Sequence, residues 1–299
     1  MTADLRTPTV GVVGIGAMGL GVALRLRDLG FSVSVRDVRP EPEAMAAAAG
    51  ARVHLTPSAL AKSCDVVITL VVDAAQTEKV VFGPDGIAGG MPPQGVLVAM
   101  STMPPAYVAD LGERLAARGI AFVDAPCSGG PARARDGTMS TMIAGSAQAM
   151  ARCGPVLEAI SSRRFPVGER PGDGAKAKIV NNLLAGANLV AAAEAVAMGE
   201  RLGLDLATLF GVVSASSGGS WVFGDRIGRV LEGDRSVRAR LDILRKDLSI
   251  AVATAQAQGS ATPMAEAAYA AFDAASKDGR GNEDDSAMVQ WFRDQSVSR

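Results

Sequence analysis

A single histidine, His54, stands in 299 residues. With one imidazole the chain has no histidine-built metal site. Any proton-transfer group must come from another residue type. His54 itself lies in "GARVHLTPSAL", between an apolar stretch and a helix start expected at Thr56 or Ser58, and reads as an ordinary loop or surface residue. Cysteine is scarce as well. Cys64, Cys127 and Cys153 are odd in number and far apart, which excludes a disulfide framework and a zinc motif and fits a reducing cytoplasm. There is no surplus of either charge: the net charge is −1, so the electrostatic footprint of a nucleic-acid or anionic-membrane partner is missing. The start, "MTADLRTPTVGVVG", has no apolar segment preceded by basic residues and is not expected to be a signal peptide. No apolar run is expected to span a bilayer, which takes about 20 residues.

What is present is an ordinary globular composition, 48% hydrophobic and 20% charged, in a chain long enough for two domains. The most informative segment is "TPTVGVVGIGAMGLGVALRLRDLGFSVSVRDVRPE". Val10 to Val13 form a β-branched run, and Gly14, Gly16 and Gly19 follow at G-x-G-x-x-G spacing. A helical pattern then stops at Gly30, and a second strand, "FSVSV", ends at Arg36 and Asp37. A strand, glycine turn, helix and strand with an acidic residue about 20 positions on is the dinucleotide-binding arrangement. Gly14 permits the tight turn, Gly16 the approach of a pyrophosphate, and Gly19 close helix–strand packing, with the helix N-terminus facing the phosphates. Asp37 would accept hydrogen bonds from ribose hydroxyls and repel a 2′-phosphate, which favours NAD over NADP. Arg36 and Arg39 beside it pull the other way.

"DVVITLVV" reads as a buried parallel strand, and "GVLVAMST", "AYVADLGERLAARG" and "IAFVDAP" continue the alternation of strands and helices. An open, doubly wound, mostly parallel sheet is expected, binding ligands at the carboxyl ends of its strands. Val71, Val72, Asp73, Ser101 and Thr102 fall at such ends. Thr102 either bonds the cofactor or substrate or caps a helix before Pro104 and Pro105. In "DAPCSGGPARARDG", Ser128, Gly129 and Gly130 follow a strand directly. They form either an anion-binding concavity of backbone N–H groups or a plain glycine turn. Cys127 has no histidine to activate it and reads as packing.

"GDGAKAKIVNN" carries two lysines and two asparagines into the start of a long, small-residue apolar helix expected from about Ala175 toward Leu202. Burying an ammonium is costly, so either these lysines point outward or one of them works. Lys178 and Asn182, four apart, share a face, and Lys176 points away. From Gly172 onward the patterns are helical without a convincing strand. The expected domains are therefore 1–171, an α/β nucleotide-binding domain, and 172–299, an all-α domain for substrate and oligomerisation.

"GVVGIGAMG", "VAMSTMPP", "DAPCSGG", "GDGAKAKIVNN" and "RKDLSIA" occur in this order along nearly the whole chain. Together they resemble the signature blocks of the β-hydroxyacid dehydrogenases, the family of 3-hydroxyisobutyrate dehydrogenase and tartronate semialdehyde reductase. The resemblance implies a Rossmann domain joined by a long helix to a helical domain, with protomers pairing through the helical domains as a homodimer or homotetramer. It places the catalytic lysine on Lys178 and a second polar group on Asn182. The carboxylate site falls on Ser128, Gly129 and Gly130, and the cofactor contacts on Gly14, Gly16, Met18, Gly19, Asp37, Val71, Val72, Thr102 and Lys246. Gly21 stands where many members carry methionine, and Val71–Val72 where leucine–proline is common. Neither change removes a chemical group.

A narrower resemblance, in "DAAQTEKVVFGPDG", "GGSWVFGDRIGRVLEGD" and "GRGNEDDSAMV", is to the branch that oxidises L-threonate, a four-carbon sugar acid. It brings Trp221 and Arg226 toward the substrate. The expected activity is NAD-dependent oxidation of a small hydroxy acid, with Lys178 as general acid/base, its proton affinity lowered by desolvation and by the helix N-terminus. The alternatives are action on 3-hydroxyisobutyrate, reduction of a semialdehyde or an imine, and, in another class, a nucleotide-binding sensor without turnover.

Overall fold

The computed structural model describes residues 7–295; the first six residues, part of the segment read for a signal peptide, lie outside it. The chain divides into two units, Met1–Lys178 and Ile179–Arg299.

The first unit holds a nine-stranded sheet. Its strands are β1 (Val10–Val13), β2 (Val33–Arg36), β3 (Arg52–Val53), β4 (Val66–Thr69), β5 (Val96–Ala99), β6 (Ala121–Asp124), β7 (Cys127–Ser128), β8 (Met139–Gly145) and β9 (Ser161–Gly168). The helices between them are α1 (Ala17–Asp28), α2 (Pro40–Ala48), α3 (Pro57–Ala61), α4 (Ala74–Phe82), α5 (Pro105–Ala116), α6 (Gly130–Asp136) and α7 (Ala147–Ile160). The strand order is β3-β2-β1-β4-β5-β6-β8-β7, with β9 also on β8. From β3 to β6 every pairing is parallel, β8 runs antiparallel to β6 and β7, and β9 parallel to β8. The parallel part is the doubly wound order with its switch point beside β1, where β1 pairs with both β2 and β4.

Strand alternation divides the core. Val10, Val12, Val66, Ile68, Val96 and Val98 pack on one side with residues of α1 and α7. Val13, Val67, Leu97 and Ala99 pack on the other with residues of α3 and α5. Because helices cover both faces, these strands read as unbroken apolar runs.

A 29-residue helix, α8 (Asp173–Arg201), follows, and the division between the units falls within it. It starts at Asp173, two residues before the expected Ala175. Gly172, at φ +98, breaks the chain into it, and a carboxylate from β6 caps it. By length and composition α8 is apolar enough to cross a membrane, contrary to the expectation that no segment would be. It also carries Lys176, Lys178, Asn181, Asn182, Glu194 and Glu200.

In the second unit, Leu189, Ala193 and Val196 of α8 join the buried cluster of that unit with Leu241, Leu244, Leu248, Phe272, Met288 and Val289. The remaining helices there are α9 (Leu206–Ser214), α10 (Gly228–Leu231), α11 (Leu241–Ala257), α12 (Pro263–Ala275) and α13 (Met288–Asp294), with a π turn at Phe223–Ile227. No strand is formed in this unit among the described residues, apart from one bridge between Arg240 and Asp284.

Candidate active site

The β1–α1 turn meets the geometric demands of a dinucleotide loop. Gly14 has φ +87, and a Cβ there would lie 2.8 Å from the Leu70 carbonyl oxygen. A Cβ on Gly19 would collide with the Gly14 carbonyl, so only glycine lets α1 start this close to β1. Gly16 differs: a Cβ there would meet nothing but the Arg39 guanidinium, at 3.4 Å, so the space over it is otherwise open. The start of α1 has no side-chain cap and no acidic residue in its first turn, leaving its N–H groups for an anion. These residues fit a dinucleotide. Met18 packs on the core beneath the loop.

Asp37 is buried at the end of β2. Its Oδ2 accepts the Ile15 N–H at 2.8 Å, and its Oδ1 accepts Arg39 N–H at 3.0 Å and Arg39 Nε–H at 3.2 Å. Arg36 donates instead to Glu43 at 2.9 Å, and the same Glu43 oxygen accepts the Asp37 N–H. Along the switch-point edge, Val71 and Val72 follow β4, and the Ser101 hydroxyl donates to the Val71 carbonyl at 2.7 Å, tying the β4 and β5 ends together. Pro104 occupies the N-cap position of α5, so Thr102, half-buried beside these ends, is not that helix's cap. His54 is a loop residue whose Nε2 lies 3.1 Å from the Ser34 hydroxyl.

β7 delivers Ser128 into a turn that only glycine can complete, with Gly129 at φ 143 and Gly130 at φ 72. Lys178 is buried, 6% exposed, whereas Lys176 is exposed and paired with Asp173 at 2.7 Å. Burial pushes the Cys127 thiol above its usual range, and the positive charge of Lys178 opposes that rise. Within the first unit, the charge of Lys178 is thus felt at Cys127, the residue before the Ser128 turn. Asp124, which ends β6, is 1% exposed, and burial pushes its carboxyl up to about 6 despite the backbone N–H groups of Ala175, Gly172 and Gly174 aimed at it.

In the second unit, Asn182 follows Lys178 by four residues on the same uninterrupted helix. It is equally buried. Its Nδ2 donates to Asp247 Oδ2 at 2.6 Å, while its Oδ1 accepts from Asn181 at 3.0 Å. Lys246 Nζ bonds the other Asp247 oxygen at 2.7 Å. Asp247, 5% exposed, thereby ties the asparagine to the lysine. It was not among the residues expected from sequence, although "RKDLSIA" contains it.

Arg226 is held by two carboxylates. Its Nε and Nη2 grip Asp285 at 2.6 and 3.0 Å, and its Nη1 pairs with Asp225. The acidic run of "GNEDDSAMV" is its partner, which leaves two of its five N–H groups for a ligand. Trp221 is 60% exposed, its ring centre 6.0 Å from that guanidinium. No group of residues able to hold a metal ion occurs among the described residues.

A doubly wound sheet with a glycine loop shaped for phosphates, followed by a long helix bearing a buried lysine, is the architecture of the nicotinamide-dinucleotide dehydrogenases. The family model for the NAD binding domain of 6-phosphogluconate dehydrogenase matches residues 9–168. That for the NAD-binding of NADP-dependent 3-hydroxyisobutyrate dehydrogenase matches residues 172–292. The chain belongs to the 3-hydroxyisobutyrate dehydrogenase-like family, and its activity is that of an oxidoreductase acting on hydroxy acids. It is 44% identical to the L-threonate dehydrogenase of Cupriavidus necator over 95% of each chain. It is 33% identical to the 3-hydroxyisobutyrate dehydrogenase of Pseudomonas aeruginosa over 85% of this chain and 88% of that one. Among solved structures, a 3-hydroxyisobutyrate dehydrogenase from Salmonella typhimurium superposes with a TM-score of 0.87, at 37% identity, over 95% of this chain and 99% of that one.

Proposed function

We propose that the chain is an NAD-dependent dehydrogenase of a four-carbon sugar acid, L-threonate or a stereoisomer, with Lys178 as its general acid/base. The observation that supports the mechanism is a buried lysine whose charge acts on the residue preceding the serine–glycine turn, in a protein with one histidine, itself committed elsewhere. The substrate class rests on the 44% identity to an L-threonate dehydrogenase along the whole chain.

The Ser128–Gly130 turn receives the substrate carboxylate through its N–H groups and the serine hydroxyl. Bound NAD supplies the hydride acceptor. Lys178, neutral, takes the hydroxyl proton as hydride leaves the carbon, and as ammonium returns it in the reverse direction. Asn182 bonds the reacting hydroxyl, its amide held by Asp247 and Asn181. Lys246, restrained by the same Asp247, would help hold the nicotinamide. Trp221 is a wall to the substrate, and the two uncommitted Arg226 N–H groups read its distal hydroxyls. Asp37 selects NAD by occupying the place of a 2′-phosphate. The protein works in the cytoplasm as a homodimer or homotetramer. In support, its three cysteines are buried free thiols, and α9 buries none of its residues, while Val180, Leu184 and Met198 of α8 are exposed.

The test is a panel of small hydroxy acids assayed with NAD and NADP by absorbance of the reduced nucleotide, on wild type and Lys178→Ala. A site that reads hydroxyls leaves its own polar groups unpaired with an analogue lacking them. L-threonate or a stereoisomer should therefore exceed 3-hydroxyisobutyrate by at least about tenfold in kcat/KM. Lys178→Ala should lose about a thousandfold in kcat while still binding NAD. Higher efficiency with 3-hydroxyisobutyrate would reject the substrate. Activity lost in Lys176→Ala and kept in Lys178→Ala would reject the lysine.

A further inference from the structure

We infer that Asp124 is a positioning residue, the joint that fixes the Lys178 segment of α8 against the strand leading to the Ser128 turn.

Asp124 ends β6, and four residues later the chain reaches Ser128. Its side chain does not point toward that turn. Oδ2 accepts the N–H of Gly172 at 3.0 Å and of Ala175 at 2.9 Å, about fifty positions along the chain. Gly172 immediately precedes α8 and Ala175 lies in its first turn, whose N–H groups have no partner within the helix. Such groups are ordinarily capped by a side chain just before the helix. Here the capping carboxylate comes from the central sheet, so satisfying the helix end also pins it in place.

The glycines of "GDGAKAK" make this seating possible. Gly172 takes φ +98, and a Cβ on it would lie 2.9 Å from the Pro105 carbonyl oxygen. A Cβ on Gly174 would lie 2.9 Å from the carbonyl oxygens of both Asp124 and Met142, and 3.0 Å from Asp124 Cγ. The helix therefore starts in contact with the backbones of β6 and β8. Lys178 is three residues beyond Ala175 and four beyond Gly174, hence on the same face and about 6 Å farther along the axis. The charge of Lys178 acts on Cys127, the residue before Ser128. One carboxylate thus stands at the start of both segments, four residues before the serine on the strand and at the first turn of the helix that carries the lysine. Misplacing a reacting group by about 1 Å costs on the order of a hundredfold in rate.

This rests on the reading of Lys178 as the proton-transfer group, and the experiment separates the two. Asp124→Asn, Asp124→Ala, Gly174→Ala and Lys178→Ala are compared by thermal denaturation, NADH titration by fluorescence, and steady-state kinetics. Asp124→Asn keeps an oxygen acceptor and should stay within about tenfold of wild-type kcat. Asp124→Ala should remain folded and bind NADH as wild type does, yet fall about a hundredfold in kcat with a much smaller change in KM. Gly174→Ala, whose methyl presses on the Asp124 and Met142 carbonyl oxygens and on the Asp124 carboxyl carbon and so lifts the helix off the strand, should show the same split and decides the matter if Asp124→Ala does not fold. Wild-type kcat in a folded Asp124→Ala, or in Gly174→Ala, overturns the inference, as does an Asp124→Asn as impaired as Asp124→Ala. Activity retained in Lys178→Ala instead overturns the reading of the lysine.

Discussion

At the level of single side chains, the proposed choice of nucleotide rests on Asp37 and the two arginines beside it. All three were visible in "SVRDVRPE", but which arginine serves the carboxylate was not. Arg39 folds back onto Asp37, while Arg36 is held by Glu43 on α2. Removing the carboxylate therefore frees Arg39 and leaves Arg36 engaged. Asp37→Ser should narrow the preference for NAD over NADP by about tenfold or more in kcat/KM, since a repelled 2′-phosphate then meets a guanidinium. Adding Glu43→Gln should carry the change further. A wild-type protein that already favours NADP would refute the assignment. Asp247 and Arg226 show the limit of residue-scale reading. A buried aspartate that bridges an asparagine to a lysine, and an arginine gripped through two of its nitrogens by Asp285, depend on partners about 60 positions away.

Among the elements, β1 was legible to the residue and α1 in outline, its expected stop at Gly30 lying two residues past its end at Asp28, because their constraints are local: a β-branched run, a turn that demands positive φ, and a helix that must touch the strand. β7 and β9 were not. A two-residue strand has no period, and β9 is exposed along most of its length, so its residues carry no alternation. The start of α8 was misjudged by two residues because its cap lies on β6. That cap has a pH signature. Burial raises the Asp124 carboxyl from 3.8 to about 6, so the folded state holds the proton more tightly than the unfolded chain. The stability contributed by this group is greatest below about pH 4 and declines as pH rises to about 6. The difference in Tm between wild type and Asp124→Asn should therefore shift against wild type between about pH 4 and pH 6 and stay level above that. A difference independent of pH would contradict it.

At the scale of the whole molecule, the second unit leaves an apolar surface. α9 reads "LATLFGVVS" and buries no residue, Val212 is 59% exposed, and Leu202 and Leu204 before it are exposed too. Patches of this kind on single chains mark association surfaces. Wild type should elute as a dimer or larger, and Val212→Glu should shift it toward monomer with the far-ultraviolet spectrum unchanged. A wild-type monomer at micromolar concentration would refute this.

Two kinds of information separate here. Short-range patterns, in which neighbours along the chain are also neighbours in space, were enough for the dinucleotide loop, the doubly wound sheet, the helical second half and the shared face of Lys178 and Asn182. The clamp of Asp124 on α8, the Asp247 bridge and the engagement of Arg226 arise from pairs far apart in the chain. A carboxylate's partner is whichever donor packing brings within about 3 Å, and no local pattern records that distance.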